Sequence, residues 1–187
     1  MGVGAVEGLR GEILVLDGVP YVSAVGPDGK PVTSTGSAAD VAATLLILAD
    51  VPAWRELPID RAIDSKEFDT TIRELALRAG VDVQAPFPFV VTGRAMSLEG
   101  HVINRACPTA SANGSRDQHA PHRLAGIHDQ EVTLVGFYAE SGAGVITHHD
   151  SRTHVHVLLR EGSPMVAHVE SVSLAGGACF KLPYRNR

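Results

Sequence analysis

The alternation of apolar and polar positions divides the chain into short strands around one helix. Ile13-Leu14-Val15-Leu16 is an apolar run, Asp17-Gly18 a hairpin turn signal and Pro20-Tyr21-Val22 the start of a return, so residues 12–25 read as a strand pair. Gly26-Pro27-Asp28-Gly29 marks a second turn. Residues 38–50 contain the longest apolar stretch, 41–48, and periodicity leaves it open between a buried strand and a short helix. The clearest helix covers about residues 65–79. Phe68, Ile72, Leu75 and Ala79 recur at helical spacing, while Lys66, Glu67, Arg73, Glu74 and Arg78 lie mostly off that stripe. Asp64 or Ser65 can cap its start and Gly80 can close its end. Residues 87–92 read as a strand. Residues 107–130, with Pro108, Gly114, Pro121 and Gly126, are polar and irregular and read as a surface loop. Beyond residue 132 the pattern is all strand, over 132–138, 153–159 and 165–174.

Strands on both sides of one helix imply an α+β fold, with mixed or antiparallel β-sheets in two small subdomains of a single domain. The expected division is an N-terminal sheet plus helix over about 1–95 and a C-terminal antiparallel sheet over about 130–187. The 187 residues are 44% hydrophobic and 20% charged, which excludes a disordered chain, a collagen-like repeat and a coiled coil. A net charge of -5 argues against a protein that reads a phosphate backbone. Cys107 and Cys179 are too few for a disulfide framework and point to a reducing compartment. The start, MGVGAVEGLRGE, has no basic region followed by an apolar one, and residues 41–48 are too short to span a bilayer. A soluble cytoplasmic protein is expected, with neither nucleic acid nor membrane as partner.

Nine histidines, unevenly placed, carry the chemical signal. Residues two apart on a strand share a face, so His154 and His156 project together while Val155 and Val157 project the other way. If residues 161–163 form a three-residue hairpin loop, 156 faces 168 and 154 faces 170. His154, His156 and His168 then lie on one face, with Glu170 beside them. Three imidazoles with open positions left over suit a catalytic metal site better than a closed structural one. A competing set is His154-x-His156-x4-Glu161, which resembles the first metal motif of cupins, although Glu161-Gly162 also reads as a turn. His148 and His149 read mostly as loop residues, with one of them able to line the site. His101, His119, His122 and His128 read as solvated, in or near the polar loop.

These residues together resemble the α-acetolactate decarboxylase family. The opening, Gly2-Val3-Gly4-Ala5-Val6-Glu7-Gly8-Leu9-Arg10-Gly11-Glu12, is similar to the family's GxGT…LxGE segment. Leu134-Val135-Gly136-Phe137-Tyr138 is similar to its VGF strand, and the histidines follow at family-like distance. The resemblance implies that His154, His156 and His168 are zinc ligands, one divalent metal per chain. It makes Glu12 the active-site glutamate and Arg105, in Arg105-Ala106-Cys107-Pro108, the active-site arginine, with Arg94 as the fallback. It also implies a homodimer. Two features depart from the family. A further family glutamate beyond the third histidine has no counterpart in the 19 residues (187 − 168) that follow His168, and residues 109–130 replace an arginine- and proline-rich stretch.

The chemistry implied is decarboxylation of a 2-hydroxy-3-oxo acid such as α-acetolactate, giving acetoin through a metal-stabilised enediolate. Arg105 would pair with the carboxylate or enediolate, and Glu12 would move the proton. Two alternatives stay open. One is a metal-dependent dehydratase, isomerase or cyclase acting on a larger β-keto or β-hydroxy substrate; the other is a catalytically silent metal- or ligand-binding homologue.

Overall fold

The computed structural model describes residues 1–36, 41–105, 120–142, 146–147 and 151–184. Twelve strands and one α-helix among them form two antiparallel sheets, the α+β class expected. The first sheet holds β1 (Gly2–Val6), β2 (Glu12–Leu16), β3 (Val19–Val25), β4 (Pro31–Thr35) and β5 (Ala43–Leu48), in the order β4-β3-β2-β1-β5. Asp17 and Gly18 both take positive φ (51° and 76°), the geometry that a two-residue hairpin requires. The apolar stretch at 41–48 becomes a strand because β1 pairs with it, from Gly2↔Leu48 to Val6↔Ala43.

The second sheet holds β6 (Trp54–Ile59), β7 (Phe87–Val102), β8 (His122–Ile127), β9 (Gln130–Tyr138), β10 (Thr153–Leu159), β11 (Met165–Leu174) and β12 (Ala178–Pro183). Its order is β11-β10-β9-β7-β12-β6, with β8 also on β7. Strand β7 has 16 residues and four partners, β9 and β12 along its first half and β11 and β8 along its second, so it pairs with both β9 and β11. That double pairing closes β7, β9, β10 and β11 into a ring. The helix α1 (Phe68–Arg78) follows a single 3-10 turn whose start Asp64 caps, and Gly80 ends it at φ 78°. Phe68, Ile72 and Ala76 pack from α1 into the core of the second sheet, among Phe89, Leu134, Val157 and Phe180. Each large apolar side chain buried there contributes roughly 1.5–3 kcal/mol.

The boundary between the sheets falls near residue 50, so β6, α1 and β7 all build on the second sheet. Two expectations need correction. Residues 122–127, read as loop, form β8; only Leu124 of that strand is buried, so it leaves little alternation to read. The strand read over 87–92 runs ten residues further, through a stretch where Gly93, Arg94, Ser97 and Glu99 break the apolar pattern. Residues 106–119 lie outside the described residues.

The two sheets stack. On β10, Val155, Val157 and Leu159 face the core of the second sheet, while Leu158 joins Val90, Val135, Phe137 and Val166 in packing against Val3 and Leu14 of the first. The Val166 N–H donates to Ser23 Oγ across this junction at 2.7 Å. No helix among the described residues is long and apolar enough to cross a membrane.

Candidate metal centre

The alternation that sends Val155 and Val157 into the core turns His154 and His156 toward the first sheet. The hairpin register runs His156↔His168 through Leu159↔Met165, as a loop over 161–163 requires. One ligand nitrogen from each of His154, His156 and His168 lies within 4.8 Å of the other two, and all three residues are buried. Their ring centroids are 5.2, 5.2 and 5.4 Å apart.

Backbone carbonyls set the protonation of two of these rings. His154 Nδ1 lies 3.0 Å from the Ile146 carbonyl and His156 Nδ1 2.9 Å from the Ile13 carbonyl. A carbonyl only accepts, so Nδ1 carries the hydrogen and the neutral ring has its lone pair on Nε2. Metal-ligating histidines are oriented in this way. The donor set therefore fits a divalent ion of the zinc type, which takes neutral imidazole.

Glu12 stands against the triad from the opposite sheet. It opens β2, is 3% exposed, and places Oε2 3.5 Å from His156 Nε2. Gly11 permits the approach of β2 to β3 at that point: a Cβ there would lie 2.2 Å from the Ser23 carbonyl oxygen. The Ile103 N–H donates to Glu12 Oε1 at 3.0 Å. Burial pushes the Glu12 carboxyl up to about 8, with the Ile103 N–H pulling the other way. A cation at the histidines would pull it back down.

Other expected residues fall elsewhere. His101 was expected to be solvated, and it is buried: it sits on β7 directly opposite His168, with the two rings 5.2 Å apart. Glu170 does not continue the ladder beside His154. The β10–β11 pairing ends at His156↔His168, and a bulge between Val169 and Ser171 accompanies the turn of Glu170 toward His101 and Arg123. His122, also expected in solvent, is half-buried and donates from Nδ1 to the Gly29 carbonyl at 3.0 Å. His128 is exposed, as expected. Glu161 is exposed at the hairpin tip, where its charge acts on Arg94, so the cupin-like set is not assembled. Arg94 pairs with Asp129 and Glu131 on the surface, which removes it as the fallback arginine. Arg105 is exposed two residues past Ile103, with positive φ (66°) and its N–H bonded to the Leu9 carbonyl. It makes no ion pair among the described residues. Cys107, His119, His148 and His149 lie outside the described residues.

One contributor went unread in the sequence. Asp69, on α1, accepts hydrogen bonds from Ser151 Oγ, the Arg152 N–H and Thr153 Oγ1, at 2.9, 2.7 and 2.6 Å. It clamps the helix to the residues just before His154. Its off-stripe place on the helix was the only available signal.

No family model matches the sequence, and no curated protein matches it. Solved structures do match. The α-acetolactate decarboxylase of Bacillus subtilis strain 168 superposes with a TM-score of 0.66 at 16% identity, over 99% of this chain and 73% of that one. A Staphylococcus aureus protein of unknown function, described as similar to α-acetolactate decarboxylase, gives 0.64 at 12% identity, over 99% and 73%. Acetolactate decarboxylase from B. subtilis subspecies spizizenii gives 0.64 at 16%, over 99% and 74%. The likeness is one of fold, and on that ground the chain has the fold of α-acetolactate decarboxylase.

Proposed function

We propose that this chain is a metal-dependent carboxy-lyase that decarboxylates a 2-hydroxy-3-oxo acid such as α-acetolactate, with zinc held by His154, His156 and His168. The observation that carries the reading is a buried imidazole triad with the buried carboxyl group of Glu12 3.5 Å from one of its nitrogens. The three imidazoles would hold the ion, the ligand count of a catalytic centre, for an acid that bears adjacent oxygens. When bound, the ion supplies Lewis acidity to those oxygens.

The remaining roles belong to the chain itself. The apolar junction around Leu14, Val135 and Leu158 packs the two sheets together beside the centre. When the bond to the carboxylate breaks, its electron pair moves from the α-carbon onto the neighbouring ketone oxygen. Glu12, buried against the triad, is the group placed to deliver a proton to that carbon and then to regain one from solvent. Arg105, beside the Ile103 segment that binds Glu12, is the guanidinium proposed to meet the substrate carboxylate.

The test is CO2 release from a panel of 2-hydroxy-3-oxo acids by metal-loaded protein. The reading expects release that stops on chelation and returns with metal. Metal-loaded protein that releases no CO2 from any member of the panel would contradict it.

A further inference from the structure

Strand alternation gives the first sheet an inner face, toward the metal centre, and an outer one. Val3, Leu14 and Ile47 stand level on the inner face, Val3 opposite each of the others, and all three pack into the junction between the sheets. The next inner row is Ala5, Glu12 and Leu45, with Ala5 opposite both Glu12 and Leu45. Gly4 lets β1 and β5 close up there: a Cβ on it would lie 2.2 Å from the Leu45 carbonyl oxygen.

The two rows differ in what covers them. Val3 and Leu14 are fully buried. Along the second row exposure rises from 3% at Glu12, through half-buried Ala5, to 39% at Leu45. Sheet-on-sheet packing therefore ends between the rows on the β5 side, and the second row runs from the carboxyl beside His156 out to an open leucine. Two ladder steps separate Leu45 from Glu12, about 10 Å between Cα atoms. Ala5 and Leu45 carry no side-chain donor or acceptor. A polar group laid on them would give up water without a partner, whereas an alkyl group would cover apolar surface that the free protein leaves wet.

We infer that Ala5 and Leu45 form an apolar subsite of the metal centre, with Leu45 a specificity-determining contact for an alkyl substituent of the bound acid. This rests on the function proposed above and extends it: the preferred substrate is a 2-hydroxy-3-oxo acid whose alkyl group is longer than the methyl groups of α-acetolactate. Leu46, the next residue, is exposed to a similar degree, 42%, on the outer face and supplies the control.

The test is calorimetry on zinc-loaded protein with 2-hydroxy-2-methylpropanoate, 2-hydroxy-2-methylbutanoate and 2-hydroxy-2-methylhexanoate, acids that differ only in alkyl length. Wild-type affinity should rise about 2- to 4-fold per added methylene. Leu45→Ala should reduce the rise to less than about 1.5-fold per methylene and leave the shortest acid bound within about 2-fold of wild type. Leu45→Gln keeps the length of the side chain and makes its end polar; it should flatten the series too, and it carries the test if Leu45→Ala does not fold. Leu46→Ala should keep the full rise, and all variants should keep wild-type zinc content. A wild-type series without a rise, a rise that survives in Leu45→Ala, or one that Leu46→Ala flattens equally would overturn the subsite and leave the proposed function standing. Loss of zinc from a Leu45 variant overturns the subsite as well. Zinc-loaded wild type that binds none of the acids is a different result: it contradicts the proposed function, and the subsite with it.

Discussion

The two walls of the candidate site are built differently. The β10–β11 wall is local: one hairpin carries His154, His156 and His168, and strand alternation plus a short loop bring them together. The opposite wall is assembled from remote parts of the chain. The Glu12 carboxyl meets the Ile103 N–H across 91 residues, and the Ile13 carbonyl meets His156 across 143. The hairpin wall supplies ligands; the other wall supplies the carboxyl group and sets a ring tautomer, and it exists only when the sheets dock. Metal binding should therefore tolerate changes that turnover does not.

The largest expected effect breaks the local wall. His156→Ala should abolish both metal binding and turnover. Metal at about 1,000 times its dissociation constant stabilises by about 4 kcal/mol, which for a domain of this size is roughly 8–16 °C in Tm. Differential scanning fluorimetry with and without chelator should show that shift in the wild type and none in His156→Ala. On the other wall, Glu12→Gln should cut turnover by about 10²–10⁴-fold while zinc content stays near wild type. Parallel loss of zinc in that variant would make Glu12 part of the metal wall.

Leu14→Ala probes the docking itself. Leu14 is fully buried at the junction, so its truncation should cost about 2–5 kcal/mol in urea unfolding. The comparison expects turnover to fall further than zinc content. A smaller effect follows from the pKa of Glu12. Its folded value, about 8, exceeds the ordinary 4.5, so the native state keeps a proton that the unfolded chain has released. In chelated protein, stability contributed by this group is full below about pH 4.5 and is lost as pH rises through about 8, a change of at most a few kcal/mol. Urea midpoints at several pH values should show the decline, and Glu12→Gln should flatten it. The smallest change is Arg105→Lys. Charge is kept and the planar fork is lost, so kcat/KM should drop more than zinc content or stability.

The contrast between the walls also explains what could be read from the sequence. The hairpin was legible because His-x-His on a strand, a short loop and a third histidine at matching register are short-range features. The hairpin at Asp17-Gly18 and the helix with its Asp64 cap were legible for the same reason. His101 is misread from the sequence because it follows Glu99-Gly100 in a stretch without alternation; its burial comes from β11 on one side and from β8, beyond a long connection, on the other. Glu170 was placed beside His154 because a regular ladder puts it there, and a bulge redirects it. Glu12 came only through a family resemblance, since no local pattern sets a strand-end carboxylate against a histidine 144 residues later (156 − 12). Assignment of β6, α1 and β7 to the second sheet likewise depends on pairings with β9, β11 and β12 that periodicity does not encode.

The central claim, that the hairpin wall holds one divalent metal, is tested most directly by elemental analysis of freshly purified wild-type protein beside His156→Ala, with no metal added. The account predicts about one equivalent of zinc per chain in the wild type and none in the variant. Wild-type protein free of zinc, iron, cobalt, nickel and manganese, or a variant that keeps full occupancy, would contradict it.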